Sequence, residues 1–174
     1  MKIPAIKFVL LAAILTFRLS FASVTDDIGY ATAESIPDGV VQILNQKQFS
    51  KNYQVVTHLN PFYVTGNFSG HGRLDTAILI KNRASGEIGV AIIHQSSNSA
   101  IVLGAGRNFG NGGSNFDWMD AWHVWSKVSK VKKGVGEADP PRLFGDAILA
   151  IKTEAASGLI YWDGKKYQWY QQGD

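Results

Sequence analysis

The sequence predicts a mainly β fold made of antiparallel meanders with one N-terminal helix, and three observations support this. From residue 53 onward, short apolar segments alternate with turn-forming residues, which is typical of all-β domains. Apolar residues recur at helical spacing between residues 36 and 44. Two segments, DTAILIK at 75–81 and DAILAIK at 146–152, resemble each other when one residue is allowed to slip. They indicate either a repeat of about 70 residues, each a four-stranded meander, or a chance likeness of two strands.

The first 22 residues predict a secretory signal. Lys2 and Lys7 precede an apolar stretch, and small residues end at Ala22 as they do at a cleavage site. Arg18 interrupts the stretch, which is shorter than the roughly 20 apolar residues of a membrane-spanning helix. We therefore expect a periplasmic or secreted bacterial protein with no membrane span after cleavage. The absence of cysteine excludes disulfides and a lipoprotein anchor.

Cleavage after residue 22 would change the charge balance. The chain has 17 Lys and Arg residues against 14 Asp and Glu, and three basic residues but no acidic residue lie in 1–22. The processed chain would be formally neutral, so its charge gives no reason to expect a nucleic-acid partner. About 150 residues remain, the usual size of one domain. We expect a flexible leader at 23–34 and a single β-rich domain at 35–174.

The helix is expected at 37–48. Ser35 is placed to cap its N-terminus, Pro37 suits the first turn, and Asp38 favours the positive end of the helix dipole. The strands are expected at 53–57, 62–68, 76–81, 88–94, 100–103, 121–128, 147–152, 159–162 and 166–171.

The last two strands form the best-defined hairpin in the sequence. Asp163-Gly164 suits a two-residue turn, which would pair Trp162 with Lys165 and Ile160 with Tyr167. In that register the apolar residues of both strands share one face, which we expect to be core: Ile160, Trp162, Tyr167 and Trp169.

The loop before residue 76 has the layout of a calcium loop, D-x-[DN]-x-D-G-x-x-D. Its ligand positions hold Asn67, Ser69, His71 and Asp75. Only Asp75 is a carboxylate, whereas calcium prefers six to eight oxygen ligands, several of them charged. These four residues are the weak metal candidates of the chain, and no other cofactor is expected. The alternative is a tight connection in which Asp75 accepts main-chain N–H groups, as Asp146 would do without such a loop.

The segment 67–80 resembles the FG-GAP/VCBS repeat of integrin-like and bacterial β-propeller blades. More loosely, the chain from residue 60 onward resembles small exported bacterial proteins of unassigned function that carry one such unit. The resemblance implies blade-like antiparallel sheets, with calcium at the four positions just named. Because two blades cannot close a propeller, we expect two blade-like sheets in a partial-propeller or sandwich-like arrangement.

Two adjacent segments supply the candidate binding residues. The glycine-rich stretch 104–115 is unusually long for a β connection, and long connections often carry function. The aromatic stretch 116–125 would present Trp118 and Trp122 on one side of a strand. They would serve either for stacking on a sugar or anchoring a protein interface, or as a core cluster whose indoles donate to Asp117 or Asp120. The candidates are Arg107, Asn108, Phe109, Asn111, Asn115, Asp117, Trp118, Asp120 and Trp122.

No catalytic motif is found, and the four histidines have no metal-ligand spacing. The sequence favours a non-catalytic, exported protein-binding module of the inhibitor or immunity type, with its partner in the cell envelope. The alternative is a carbohydrate- or peptidoglycan-binding module that uses surface tryptophans, and an exported hydrolase has less support.

The basic run 127–133 is interpreted as a solvated strand edge. Replacing 104–115 by a short turn is expected to abolish binding without unfolding the domain.

Overall fold

The computed structural model describes residues 29–134 and 138–173. The predicted signal segment 1–22 and most of the leader lie outside the described residues. The described part is mainly β, as the sequence predicts, and consists of two antiparallel sheets and a few short helices.

The helices are α1 (Tyr30–Ala33), α2 (Asp38–Leu44) and α3 (Lys47–Ser50). Short 3-10 helices lie at Gly110–Gly112 and Phe116–Trp118. The strands are β1 (Tyr53–Val55), β2 (Tyr63–Gly66), β3 (Asp75–Asn82), β4 (Ile88–His94), β5 (Ser99–Gly104), β6 (Ala121–Trp125), β7 (Ala147–Lys152), β8 (Ala156–Trp162) and β9 (Tyr167–Gly173). None of the helices in the described ranges is long and apolar enough to cross a bilayer.

Each sheet is an antiparallel meander four strands wide. Sheet I has the order β1-β3-β4-β5, and β2 also pairs with β3. Since β2 covers the start of β3 (Gly66 opposite Asp75) and β1 covers its end (Val55 opposite Ile80), these two strands share one position. Sheet II has the order β6-β7-β8-β9. The similar segments 75–81 and 146–152 therefore both supply the second position of a meander.

The two sheets and the helices form three layers. One face of sheet I packs against the helices, through a cluster that includes Val40, Ile43, Ile78 and Ile93. Its other face packs against sheet II in the largest core cluster. The outer face of sheet II is partly covered by Val131 and Leu143 from the β6–β7 connection. Alternation along each strand explains this arrangement, since consecutive residues face opposite layers.

The single helix expected at 37–48 is divided. Gln46 has an extended main chain (ψ 132°) and becomes the N-cap of α3, so α2 ends before it. The break lets Phe49 reach Tyr53, whose ring centroid lies 5.2 Å away. Pro37 rather than Ser35 is the N-cap of α2, because the Ser35 hydroxyl donates to the carbonyl of Thr32.

The leader expected at 23–34 includes helix α1. Ala33 is buried and belongs to the cluster between the helices and sheet I. Tyr63 ties the following turn to β2, because its hydroxyl donates to the carbonyl of Ser35 at 2.6 Å. The end of this leader is therefore structured, since it covers apolar surface of sheet I.

The β8–β9 hairpin has a longer turn than expected. Trp162 pairs with Tyr167 and Ile160 with Trp169, a shift of two residues, so the connection has four residues. Asp163 causes the shift, because its carboxylate accepts the main-chain N–H groups of Lys165 (2.8 Å) and Lys166 (2.9 Å). A shift of two preserves side-chain direction, so the four expected residues still face the core between the sheets.

The strand expected at 121–128 ends at Trp125. Its partner strand begins at Ala147, opposite Trp125, and the carboxylate of Asp146 accepts the N–H of Lys127 at 3.0 Å. The basic run 127–133 therefore lies in the β6–β7 connection, and its interpretation as a strand edge is wrong.

Candidate functional site

The glycine-rich connection after β5 folds back onto sheet II. Its turns are closed by main-chain hydrogen bonds from Gly106 to Ser114 (2.9 Å) and from Phe109 to Gly113 (3.0 Å). A Cβ at Gly110 or Gly112 would lie 2.9 or 3.0 Å from the side chain of Trp169, so only glycine allows this close approach. The connection is anchored on the framework and does not form a detachable loop. Replacing 104–115 by a short turn would remove these contacts, so we now expect it to destabilise the domain as well as to change binding.

A cleft of about 430 Å³ lies where this connection meets β9. One wall contains three of the predicted binding residues, Asn108, Phe109 and Asn111, together with Gly110. The other wall is formed by Lys166, Tyr167, Gln168, Trp169 and Gln171. Because the consecutive residues 166–169 all contribute, although they face opposite sides of the sheet, the cleft follows the edge of the strand.

The main chain of β9 faces this cleft at alternate residues. β9 is the last strand of sheet II in the described part of the chain. The carbonyl of Lys166 accepts the N–H of Asp163 at 3.1 Å, so Lys166 bonds toward β8. In an antiparallel pair the direction alternates, which turns the N–H and C=O groups of Tyr167 and Trp169 toward the open edge. A second chain could pair with them.

The turn that sets the register of β8 and β9 is stabilised by the charged carboxylate of Asp163. Asp163 accepts hydrogen bonds from the Gln168 side chain and from the N–H groups of Lys166 and Lys165, and these lower its pKa to about 2. The carboxylate is therefore ionised at neutral pH, which keeps Lys166 at the end of the cleft.

Arg107 lies outside this cleft. It lines a second groove of about 530 Å³ between α2, α3 and β5. The main-chain N–H of Arg107 donates to the carbonyl of Gly104 at 3.1 Å, at the end of β5. The predicted binding residues on the connection are therefore divided between two concave surfaces.

The remaining candidates of the connection serve its structure or point to solvent. The Asn115 side chain accepts the N–H groups of Ile88 (2.8 Å) and Asp117 (3.2 Å), which places Asp117 in an exposed 3-10 turn. Asp120 accepts the hydroxyl of Thr153 at 2.7 Å, and hydrogen bonds from Thr153 hold the pKa of Asp120 below its ordinary value.

The two candidate tryptophans do not form a surface platform. Trp122 is 5% exposed and donates its indole N–H to the carbonyl of Pro61 at 2.6 Å. Trp118 is half-buried, donates to the carbonyl of Gly112, and packs edge-on against Trp169 with ring centroids 6.0 Å apart. The core interpretation is correct for Trp122, but the acceptors are main-chain carbonyls and not the two aspartates. A sugar cannot stack on Trp122 in this fold.

The residues of the calcium-like loop are largely used within the loop itself. Asn67 Oδ1 accepts the N–H of Gly72 at 3.0 Å, Asp75 Oδ2 accepts the N–H of Ser69 at 2.8 Å, and His71 is exposed. Ser69 Oγ and Asp75 Oδ1 are buried without a hydrogen-bond partner in the described part of the chain. Those two oxygens could contact a cation, but calcium needs six to eight. Within residues 29–134 and 138–173, no cluster of acidic and histidine side chains suits a metal ion.

Sequence reasoning missed a buried polar contact between the two sheets. His94 Nε2 lies 2.7 Å from the hydroxyl of Tyr167. Burial lowers the pKa of His94, the charge of Asp75 opposes this shift, and His71 adds to it. Burial and the charge of Asp75 raise the pKa of Tyr167. The contact fixes the end of β4 against the start of β9, beside the cleft.

The burial of His94 predicts that the protein loses stability in mild acid. The pKa of His94 is lower in the folded protein than in the unfolded chain, so the stabilisation is complete above about pH 6.5 and is lost as pH falls below it. Urea unfolding at pH 7 and pH 5 measures the loss. His94→Gln should reduce the pH dependence, whereas His123→Gln, at an exposed position, should preserve it. An equal slope in wild type and His94→Gln would contradict this assignment.

The fold and the cleft together define a two-sheet antiparallel β protein with a groove along an edge strand. Comparisons of the chain with protein-family models, with curated proteins and with solved structures return no match.

Proposed function

We propose that this protein is a non-catalytic binding module that takes an extended segment of a partner protein into the cleft along β9. The observation that supports this most strongly is the course of the cleft, which follows the edge of the last strand of sheet II in the described part of the chain and not one face of the sheet. An extended peptide can join such an edge through main-chain hydrogen bonds. The open groups of Tyr167 and Trp169 would supply them.

The walls of the cleft indicate the chemistry of the segment. Asn108, Asn111 and Gln168 offer amide groups that can both donate and accept hydrogen bonds. Lys166 adds a positive charge at one end. These side chains suit a polar segment with an acidic residue near Lys166.

The compartment and the biological role belong to the same proposal. A partner in the cell envelope follows from the signal predicted at 1–22, and an inhibitor or immunity role would place the partner's own segment in the cleft. The proposal requires no cofactor.

A glycan is the second candidate ligand. The amide-rich walls favour it, because amide groups can both donate hydrogen bonds to sugar hydroxyls and accept them. This form of the hypothesis depends on Asn108, Asn111 and Gln168 and not on Trp118 and Trp122.

Selection from a library of extended peptides tests the proposal. Wild type should select peptides whose Kd rises by about ten-fold or more in Asn111→Trp, because an indole there would fill the cleft. Gln42→Trp is the matched control, since Gln42 is exposed on α2. Methylating the peptide's main-chain nitrogens one at a time should weaken binding at alternate positions only.

Three results would count against strand addition. These are equal affinity for wild type and Asn111→Trp, equal tolerance of methylation at every peptide position, and selection of no peptide by a protein that binds glycans in a parallel array. The last result would favour the second candidate.

A further inference from the structure

One end of the molecule gathers most of the exposed cations of the described residues. In a meander, alternate connections lie at the same end. Here the described parts of these connections are 67–74, 95–98, 126–134 with 138–146, and 163–166. Contacts confirm that they meet: the carboxylate of Asp146 accepts the N–H of Asn67 at 2.9 Å, and a Cβ at Gly164 would lie 3.3 Å from the ring of Phe144. We name this surface the basic end. Its described residues include eight exposed cationic side chains: Arg73, Lys127, Lys130, Lys132, Lys133, Arg142, Lys165 and Lys166.

The described acidic side chains of the basic end that reach its surface are too few to neutralise these cations, since three carboxylates stand against eight positive charges. Asp146 and Asp163 are half-buried and accept main-chain N–H groups. Asp139 pairs with Lys133 at 2.9 Å, in an exposed contact that salt weakens. The described part of this end therefore has a positive field, although the processed chain as a whole would be formally neutral.

The basic end also exposes apolar side chains. The described residues include four exposed large hydrophobic side chains, and three of them lie here: Leu74 (62% exposed), Val128 (85%) and Phe144 (47%). Each lies within two residues of a cation, namely Arg73, Lys127 and Arg142. The Arg142 guanidinium lies over the Phe144 ring at 5.5 Å from its centroid. Single exposed apolar residues are ordinary, but three beside cations at one end form a pattern.

We propose that the basic end docks the protein on the surface of an anionic lipid bilayer. Lys and Arg would remain at the level of the phosphate groups, while Leu74, Val128 and Phe144 would enter the boundary between headgroups and acyl chains. The aliphatic side chains favour lipid over nucleic acid, because Leu and Val cannot stack on bases as aromatic side chains do. This surface shares Lys166 with the β9 cleft, but Leu74, Val128 and Phe144 lie outside the cleft, so the Val128 variants test docking separately from partner binding.

Sedimentation with vesicles tests the docking, with chains that lack the predicted signal segment. Binding is expected to vesicles of equal parts phosphatidylglycerol and phosphatidylcholine, but not to phosphatidylcholine alone. It should weaken about ten-fold when salt rises from about 0.1 to about 0.5 M. Val128→Asp should weaken it about ten-fold, and Val128→Ser should weaken it less, because Ser removes the apolar contact without adding charge. Gln42→Asp, which adds the same charge on α2, should bind as wild type does.

Three results would overturn the proposal. The first is equal binding to both kinds of vesicle, and the second is wild-type binding by both Val128 variants. The third is binding to duplex DNA that is as tight as binding to anionic vesicles and unaffected by Val128→Asp. The Val128 side chain is almost fully exposed, so both variants should unfold at the wild-type urea concentration, which separates lost docking from lost folding.

Discussion

Replacing Gly145 with alanine is expected to destabilise the folded protein by about 3 kcal/mol, at the upper end of the usual cost of overpacking. A Cβ at this position would meet main-chain atoms of the β2–β3 connection, with the nitrogen of Gly70 at 2.6 Å and the carbonyl oxygens of Asn67 and Phe68 also too close. A main chain held by its own hydrogen bonds cannot turn aside as the tip of a side chain can. The close approach at Gly145 joins the connections of the two sheets.

Urea unfolding measures this effect, and the chain offers a matched control. Gly39 lies in α2, and a Cβ there would have no atom within 4 Å. Gly39→Ala should therefore stabilise the protein by about 0.5 kcal/mol through its lower chain entropy. An unchanged midpoint for Gly145→Ala would show that the two connections are not in contact in solution.

Replacing Asp146 with alanine is expected to cost about 3 kcal/mol, because two hydrogen bonds to a charged acceptor are lost. Its carboxylate accepts the N–H of Asn67 at 2.9 Å and that of Lys127 at 3.0 Å. The first bond reaches sheet I and the second closes the β6–β7 connection. In the variant both N–H groups lose their protein partner.

Two further variants separate the role of this carboxylate from a general effect of charge. Asp146→Asn retains one acceptor oxygen and should recover part of the loss. Asp139→Ala removes an exposed carboxylate and should change stability by less than about 0.5 kcal/mol. If Asp146→Ala and Asp139→Ala unfold at the same urea concentration as wild type, Asp146 does not join the two sheets.

The central strands could be predicted from the sequence because their signal is local. The run 88–94 has the predicted bounds, since β4 is buried along its whole length and a turn with positive φ at Gly86 precedes it. The strand at 147–152 also has its predicted bounds. In both cases burial on two faces requires an unbroken apolar run.

Two of the errors arose where a side chain bonds to the main chain. Asp163 lengthened the final turn, and Asn115 placed Trp118 in a 3-10 helix instead of a strand. The extended main chain of Gln46 divided the predicted helix. The sequence shows that such residues favour turns, but which turn forms depends on partners that folding brings together.

One wall of the cleft was predictable and the other was not. The length and glycine content of 104–115 indicated a binding role for Asn108, Phe109 and Asn111, and these residues line the cleft. Residues 166–171 were assigned to a core hairpin, which is correct for the side chains of Tyr167 and Trp169. That their main chain also lies at an open edge depends on the order of strands in the sheet. The spacing of the strands along the chain does not determine that order.

Amide hydrogen exchange of the complex with a selected peptide tests the central claim most directly. The proposal predicts that the peptide slows exchange at Tyr167 and Trp169, whose N–H groups face the cleft, and leaves Gln168 and Tyr170, already bonded to β8, nearly unchanged. Unchanged exchange at Tyr167 and Trp169 in a saturated complex would contradict strand addition at β9.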